Sequence, residues 1–453
     1  MIGSWSLATI AEALQLPQPT QQAKVQRICT DSRSLQRGDV FVALEGERFD
    51  GHQFIDQAEQ AGAVAVVVHK AVQSSLPVFQ VTNTLTALGQ LGAYNRSLFS
   101  GKVAAVTGSA GKTTVKEMLA AIMREEGFTL ATRGNLNNEI GAPLTLLELN
   151  EQHQAAVIEL GASGIGEIAR TVAMTRPQVS ILTNAGRAHI EGFGSLAGVV
   201  QAKGEIIDGL PAAGAAILNA DDPHFGNWYQ RAGQRRVLSF GLAEAADCRA
   251  TDLHMDADGH WHFTLQLDGQ ARGIKLQLLG RHNVVNALAA AAAAYAQGVS
   301  LDAIQAGLEG VEAVKGRLHA QRSSTGLRVI DDSYNANPEA MCAAIDLLMS
   351  LPGPHVLVVG DMAELGEETV RGHQLVGEYA GQQGVEWLFA CGPQNKAAVA
   401  AYRGPGQAWH FDNKEQLIAA LKTRVNPDMV VLCKGSRSAQ MEQVVKVLLE
   451  QEN

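Results

Sequence analysis

The segment KVAAVTGSAGKTTVKEMLAAIMREEG (102–127) decides the fold of this chain. It starts with a short apolar run, KVAAVT (102–107), passes through the turn GSAG, and continues with apolar residues at helical spacing. Those apolar positions are Val115, Met118, Leu119, Ile122 and Met123. The segment therefore predicts a buried strand, a tight loop and an amphipathic helix, which together begin a sheet with helices packed on it.

The loop in this segment, TGSAGKTT (107–114), has the composition of a phosphate-binding loop. Backbone N–H groups of a glycine-rich loop and the N-terminus of the following helix attract phosphate oxygens. In such a loop Lys112 reaches the outer phosphates and the Thr113 hydroxyl ligates Mg²⁺. The full GxxxxGK[ST] pattern is not met, because Val106 replaces its first glycine. The alternative is a plain turn with a surface lysine, but the strand before and the helix after favour phosphate binding.

Further apolar runs downstream end in polar residues and alternate with helical stretches. They are AAVIELG (155–161), VSILTN (179–184) and AAILNAD (215–221). This alternation predicts a parallel sheet with helices on both faces. Within 236–280, the dipeptides DG (258–259) and DG (268–269) separate alternating runs, which predicts antiparallel hairpins. An alanine-rich helix over 284–297 closes this region.

Two more units flank the central one. The N-terminal unit is a small α/β domain with predicted strands FVAL (41–44) and AVAVVV (63–68) and a helix over 53–61 between them. The C-terminal unit shows the doubly wound, Rossmann-like pattern. Its predicted strands are LRVID (327–331), HVLVVGD (355–361), WLFACG (387–392) and MVVLCKG (429–435). We predict an α/β protein of three domains, with the limits 1–82, 83–313 and 314–453.

The composition excludes several classes of protein. The chain has 453 residues, of which 46% are hydrophobic and 18% charged, so it is not a disordered chain. A net charge of −10 argues against nucleic acid as a partner. The most apolar stretch, 284–296, is too short for a membrane span. With no signal peptide and five scattered cysteines, which we expect to be reduced, the chain is expected to be cytoplasmic.

Three polar positions at predicted strand ends are candidates for binding ligands. Glu159 could hold Mg²⁺, or it could cap the next helix. Asp332, in IDDSYNANP, could bind ribose hydroxyls, or it could belong to a turn. The loop KGSRS (434–438) could bind an anion, or it could be a helix cap with surface charges. The residues alone do not distinguish His189 and Lys203 from structural or solvated side chains.

Taken together, these strings resemble the Mur ligases, the ATP-dependent amide-bond-forming enzymes of bacterial peptidoglycan synthesis. The resemblance covers nearly the whole chain. The loop at 107–114 resembles the family's P-loop, in which the missing glycine at Val106 is expected. The other matching strings are TDSRSLQRGDVFVALEGERFDGHQFIDQA (30–58), GNLNNEIGAPLTLL (134–147), AHIEGFGSLAGVVQAKGEI (188–206), GRHNVVNALAAAA (280–292), DDSYNANPEAM (331–341) and VVGDMAELG (358–366).

The resemblance implies an activity as well as a domain order. The small N-terminal domain would bind a UDP-linked substrate, the central P-loop ATPase-like domain ATP, and the Rossmann-like C-terminal domain a dipeptide. ATP would activate the carboxylate of UDP-N-acetylmuramoyl-tripeptide as an acyl phosphate, and D-alanyl-D-alanine would attack it. The implied cofactors are two Mg²⁺ ions and a carbamate on Lys203. We expect a monomer.

The resemblance also implies roles for individual residues. The catalytic set is Lys112, His189, Lys203 and Arg317, and the metal set is Thr113, Glu159, His189 and Lys203. The ATP-binding set is Thr107, Gly108, Ser109, Ala110, Gly111, Lys112, Thr113, Thr114, Asn283, Arg317 and Asp332. The substrate-binding set is Asp31, Ser32, Arg33, Asn135, Asn137, Asn138, Tyr334, Asn335, Lys434 and Ser436. Which of the three asparagines at 135, 137 and 138 makes contact is left open.

Two alternatives remain at this point. The first is a related ligase with another acceptor, either a folylpolyglutamate-type enzyme or the Mur ligase that adds the third residue. The N-terminal domain argues against the folate enzyme, which lacks a UDP-binding unit, and the strings NLNNEIG and DDSYNANP argue against the other Mur ligase. The second is a P-loop NTPase that uses hydrolysis as a switch or motor.

Overall fold

The structure, a computed structural model, describes residues 1–47, 49–186 and 190–450. Its three main sheets have four, nine and six strands. Each sheet lies within one of the three segments predicted as domains. Across the described residues, no helix combines the length and the apolar character that crossing a bilayer requires.

The N-terminal unit is a parallel four-stranded sheet in the order β1-β2-β5-β6. The predicted strands are confirmed with ends shifted by one or two residues, and a 3₁₀ turn (Gly51–Phe54) forms the first part of the predicted helix. The elements are α1 (Leu7–Leu14), β1 (Arg27–Cys29), β2 (Asp39–Val42), β3 (Glu45–Gly46), β4 (Phe49–Asp50), α2 (Ile55–Gln60), β5 (Ala65–Val68) and β6 (Val78–Gln80). Helix α3 (Thr84–Ser97) follows and packs both on α1 and on helices of the central unit. A further 3₁₀ turn covers Ser32–Ser34.

The central unit is built on a nine-stranded sheet in the order β15-β14-β13-β12-β11-β10-β7-β9-β8. Its first half contains β7 (Lys102–Thr107), α4 (Lys112–Glu126), β8 (Thr129–Ala131), α5 (Gly141–Leu147), β9 (Ala155–Glu159), α6 (Glu167–Thr175), β10 (Val179–Leu182), α7 (Ile190–Phe193) and α8 (Leu196–Asp208). Its second half contains β11 (Ala215–Asn219), α9 (Phe225–Ala232), β12 (Arg236–Gly241), β13 (Cys248–Met255), β14 (His260–Leu267), β15 (Gln270–Leu279), α10 (His282–Ala296) and α11 (Leu301–Glu309).

The hairpin prediction over 236–280 was correct only for its later part. Strands β13, β14 and β15 are antiparallel, but β12 pairs in parallel with both β11 and β13. The last four residues of β12 are buried, and α10 packs against this strand. Burial of this kind is typical of a strand in the parallel part of a sheet. The Asp-Gly dipeptides at 258–259 and 268–269 lie after β12 and do not indicate its direction.

Two helical layers cover the central sheet. Helices α4, α10 and α11 pack together on one face, and α6, α8 and α9 cover the other. The alanines of α10 are almost all buried, and their small side chains let this helix lie close to α4 and the strands. Since α4 begins at the phosphate loop, this packing holds the loop at the carboxyl end of β7.

The C-terminal unit has a six-stranded sheet in the order β16-β17-β21-β18-β19-β20, parallel except for β16. The four predicted strands are confirmed, but two strands at the sheet edges were missed because they lack a fully buried apolar run. The elements are β16 (His319–Arg322), β17 (Arg328–Asp332), α12 (Pro338–Ser350), β18 (His355–Val359), α13 (Thr369–Gln383), β19 (Trp387–Cys391), α14 (Lys396–Ala401), β20 (Gln407–Phe411), α15 (Lys414–Arg424), β21 (Val430–Lys434) and α16 (Glu442–Leu449). Two 3₁₀ turns cover Gly366–Glu368 and Arg437–Ala439.

Candidate active site

The phosphate loop connects the end of β7 with the start of α4, as the sequence predicts. Gly111 precedes the helix with a φ of +82°, and a Cβ placed on it would lie 2.5 Å from Asn286 Oδ1. Only glycine fits this position without strain. The Lys112 ammonium folds back over the loop and donates to the carbonyl of Gly108 at 2.7 Å. The first turn of α4 has backbone N–H groups that the helix itself cannot pair, so the loop offers donors for an anion.

The end of β10 holds the phosphate loop from the side. Asn184 accepts from the backbone N–H of Ser109 through its carbonyl, at 3.0 Å, and from that of Ala110 through Oδ1, at 2.9 Å. The Thr183 hydroxyl donates to the Ala110 carbonyl at 2.6 Å. The sequence analysis did not identify these two residues, because only the strand order shows that the polar end of VSILTN lies beside the loop.

Glu159 ends β9, on the other side of β7, and is only 2% exposed. Its Oε1 accepts from Asn137 Nδ2 at 2.8 Å, whereas its Oε2 is buried and has no hydrogen-bond partner within the described residues. A buried carboxylate oxygen without a partner is costly unless a cation binds it. The donor set thus fits Mg²⁺, which prefers oxygen ligands.

The three candidate asparagines differ in their contacts. Asn137 is the one whose side chain meets Glu159. Asn138 instead bonds to the first residue of α5, since its Oδ1 accepts from the backbone N–H of Gly141 at 2.9 Å. Asn135 is exposed and accepts from the Asn137 backbone N–H through its carbonyl at 2.8 Å. The structure therefore places Asn137 next to the candidate metal ligand.

Lys203 lies in α8 and is only 2% exposed. Its Nζ is 3.4 Å from the Ala162 carbonyl and 4.9 Å from the centre of the Phe193 ring. Burial, with the charge of Lys112 adding to it, lowers the Lys203 pKa to about 7, although two nearby carboxylates oppose this shift. A large share of this amine is therefore uncharged at neutral pH. His189, predicted to act in the same region, lies outside the described residues.

Glu205 stabilises the chain segment that faces Lys203, a role the sequence analysis missed. Its carboxylate is buried and accepts from the backbone N–H groups of Gly166 at 2.8 Å and Ala169 at 3.0 Å. It therefore caps α6, where the helix dipole also favours a negative charge. The sequence contains no local signal for this cap, because Glu205 belongs to a different helix.

Arg317 brings the C-terminal unit to the phosphate loop. Its Nη2 donates to the Thr113 hydroxyl at 3.0 Å, and its guanidinium lies 4.2 Å from the centre of the Tyr334 ring. Burial lowers the Lys112 pKa, and Arg317 contributes in the same direction. Two cations thus meet at the loop, which suits a ligand with several negative charges.

Asp332 and Lys434, predicted to bind different ligands, bind each other. Lys434 Nζ lies 2.6 Å from Asp332 Oδ2 and also donates to the Asn335 carbonyl at 2.8 Å. The Ser436 hydroxyl donates to the Asp361 carbonyl at 2.6 Å. These residues lie at the carboxyl ends of β17, β18 and β21, which are inner strands of the sheet.

Asn283, one of the predicted ATP-binding residues, also has partners within the protein. Its Nδ2 donates to the Leu279 carbonyl at 2.7 Å, and its Oδ1 accepts from Asn286 Nδ2 at 2.8 Å. The side chain is buried at the start of α10. Asn286 in turn lies beside Gly111, so this pair connects α10 with the phosphate loop.

The Asp332–Lys434 pair provides a test of stability. We expect Lys434→Met to destabilise the C-terminal unit by about 3 kcal/mol, because Asp332, whose side chain is only 14% exposed, then lacks its counter-ion. For a domain of this size, that corresponds to a fall in Tm of roughly 6–12 °C in calorimetry. Lys446→Met is the control, since that lysine is exposed and its ion pair is with Glu450, the residue that follows α16. An unchanged Tm for Lys434→Met would contradict the expectation.

The candidate substrate residues Asp31, Ser32 and Arg33 lie in the N-terminal unit, in the loop after β1. Asp31 Oδ1 accepts from the Arg33 backbone at 3.0 Å, and its Oδ2 pairs with the Arg33 guanidinium at 2.8 Å. These bonds lower the Asp31 pKa to about 2. The Ser32 carbonyl accepts from Gln57 at 3.1 Å. In the described ranges, their contacts stay inside this unit.

Comparison with known proteins gives one consistent result. Three family models match: the Mur ligase family catalytic domain over 24–125, the Mur ligase middle domain over 106–294, and the Mur ligase glutamate ligase domain over 316–437. The chain is 48% identical over 426 residues to a protein of Escherichia coli K12 named UDP-N-acetylmuramoyl-tripeptide–D-alanyl-D-alanine ligase. That alignment covers 93% of each chain.

Solved structures agree with this result. The crystal structure of MurF from Acinetobacter baumannii matches with a TM-score of 0.93 and 37% identity, over 99% of this chain and 100% of that one. MurF ligase from Thermotoga maritima, solved in complex with ADP, matches with a TM-score of 0.86 and 31% identity, over 94% and 97% of the two chains. The chain belongs to the Mur ligase family and is an ATP-dependent ligase.

Proposed function

We propose that this enzyme joins D-alanyl-D-alanine to UDP-N-acetylmuramoyl-tripeptide, in the synthesis of peptidoglycan precursors. The observation that supports it most directly is the meeting of the phosphate loop, Glu159 and Arg317 in one site, built from two of the three units. The substrates follow from the name of the Escherichia coli relative, which is similar over 93% of this chain.

The reaction needs activation because a carboxylate is a poor acyl donor. An oxygen of the tripeptide carboxylate attacks the γ-phosphorus of ATP, and the bond from that phosphorus to the bridging oxygen breaks to release ADP. The amine of D-alanyl-D-alanine then attacks the acyl carbon, loses a proton, and expels inorganic phosphate. Lys112 and Arg317 bind the phosphates and balance their charge, so the protein contributes mainly positioning and electrostatics.

We propose that Thr113, Glu159, His189 and Lys203, the last as a carbamate, hold two Mg²⁺ ions. The unpartnered Oε2 of Glu159 supports the first of these sites. The lowered pKa of Lys203 supports the second, because only an uncharged amine reacts with CO₂. When bound, the ions neutralise phosphate charge.

The remaining assignments extend this proposal to the other units. The domains have the limits 1–82, 83–313 and 314–453. The UDP part of the substrate binds beside Asp31, Ser32 and Arg33. The dipeptide binds beside Tyr334 and the carboxyl end of β21, where Lys434 lies. We further propose that the enzyme acts in the cytoplasm as a monomer.

A coupled assay tests the function. Purified enzyme is given ATP, Mg²⁺ and UDP-N-acetylmuramoyl-tripeptide, and phosphate release is followed with and without D-alanyl-D-alanine. We expect steady phosphate release only when both substrates are present, with the UDP-pentapeptide product detected by mass spectrometry. Release without either substrate would indicate an NTPase. Turnover with an amino acid in place of the dipeptide, or with a folate in place of the UDP-tripeptide and an amino acid as the amine, would indicate a related ligase.

Because parts of the site come from separate units, we expect the molecule to close on its ligands. Small-angle scattering should give a smaller radius of gyration when an ATP analogue and both substrates are added than for the free enzyme. The same data give the molecular mass and so test the monomer. An unchanged radius with all three ligands bound would count against closure.

A further inference from the structure

Lys116 is a buried cation beside the site for which the proposed reaction has no use. It lies one turn after Lys112 on α4 and is only 1% exposed. Its Nζ donates to the Thr132 carbonyl at 2.8 Å and pairs with the Glu117 carboxylate. Burying an ammonium group is costly unless it is paired. The contact therefore connects the phosphate-loop helix with the chain just beyond β8.

Thr132, which Lys116 contacts, is itself bonded to Glu159. The Thr132 hydroxyl accepts from the Glu159 backbone N–H at 2.9 Å, while its own N–H donates to the Val157 carbonyl at 3.1 Å. The chain then runs on to Asn137, whose Nδ2 donates to Glu159 Oε1 at 2.8 Å. Glu159 also pairs with Val106 of β7, but its side-chain partner Asn137 and the hydroxyl that accepts from its backbone N–H both lie on the segment that Lys116 anchors.

We propose that Lys116 is a positioning residue for the Glu159 carboxylate. It fixes segment 132–138 against the phosphate-loop helix, so that Glu159 presents its unpartnered oxygen toward the phosphates. Without the ammonium the Thr132 carbonyl loses its partner, and the segment that carries Asn137 is held less firmly. This inference rests on the metal role proposed above for Glu159.

The test measures metal binding rather than turnover. Enzyme saturated with a non-hydrolysable ATP analogue is titrated with Mn²⁺, and free Mn²⁺ is followed by electron paramagnetic resonance. Lys116→Met keeps the length of the side chain and removes its charge, and we expect it to weaken Mn²⁺ binding roughly 10-fold or more. Metal-free affinity for the analogue should be unchanged, because Lys112 and the loop remain. The control is Arg124→Met, which removes an exposed cation from the same helix.

Thr132→Val gives a second route to the same connection and serves if Lys116→Met does not fold. It should weaken Mn²⁺ binding as well, and the double variant should lose no more than the worse single variant. Native Mn²⁺ affinity in folded Lys116→Met would overturn the inference. If that variant does not fold, native affinity in Thr132→Val would overturn it. A double variant whose loss of affinity equals the product of the two single losses would overturn it as well. Glu159→Gln distinguishes a failure of the metal role proposed for Glu159 from a failure of the positioning role of Lys116. Native affinity there would overturn the metal role and this inference together, whereas a loss there with native affinity in Lys116→Met would overturn this inference alone.

Discussion

Lys112→Ala is expected to reduce turnover by roughly 10²–10³-fold or more while leaving the protein folded, because it removes a cation that we propose binds the transferred phosphoryl group. The fold should survive, since the bonds that the ammonium makes within the described residues go to carbonyls of its own loop. Asn184 and Thr183 hold the backbone of that loop independently of the lysine. Steady-state kinetics and thermal unfolding measure the two effects separately.

A matched control comes from the other end of the same strand. Lys102 is the first residue of β7 and is exposed, so Lys102→Ala removes one lysine charge far along the strand from the loop. It should retain native turnover. If folded Lys112→Ala kept near-native turnover, the assignment of the loop to ATP would be wrong.

Lys203→Ala should be nearly inactive, and short carboxylic acids such as acetate should partly restore its activity. A protonated lysine 4 Å from a divalent ion would be repelled by several kcal/mol at an effective dielectric of about 20, whereas a carbamate is attracted. An added carboxylate can occupy the anion position that the variant lacks. Lys112→Ala, which lacks a cation instead, should not respond to the same acids.

The pH dependence of the carbamate gives an independent check. With a Lys203 pKa of about 7, roughly a tenth of the amine is uncharged at pH 6 and roughly nine tenths at pH 8. In CO₂-depleted buffer, more bicarbonate should therefore be needed to restore activity at pH 6 than at pH 8. Native activity in Lys203→Ala would contradict the carbamate proposal. An inactive variant that no carboxylate rescues would favour a plain cationic role for Lys203.

Local features of the sequence were sufficient to predict the phosphate loop. The run 102–107 became β7 with no change in its ends, and α4 begins at Lys112 as predicted. Apolar periodicity and glycine's tolerance of positive φ act over a few residues, so the sequence displays them directly. The resemblance to the Mur ligases, which the comparisons confirm, rests on such short strings distributed along the chain.

The tertiary structure decided what lies beside the loop. Strand order puts Asn184 on one side of β7 and Glu159 on the other, and no local pattern encodes that order. The predicted ligand residues Asp332 and Lys434 are 102 positions apart and pair only because β17 and β21 are neighbours.

The sequence by itself therefore determined the strand–loop–helix units, the family and the residue types available for chemistry. It could not determine which asparagine meets Glu159, that β12 runs parallel, or that Lys116 is buried against Thr132. These depend on contacts between segments distant in sequence, and the free energy of those contacts comes from burial and hydrogen bonding that exist only once the layers are packed.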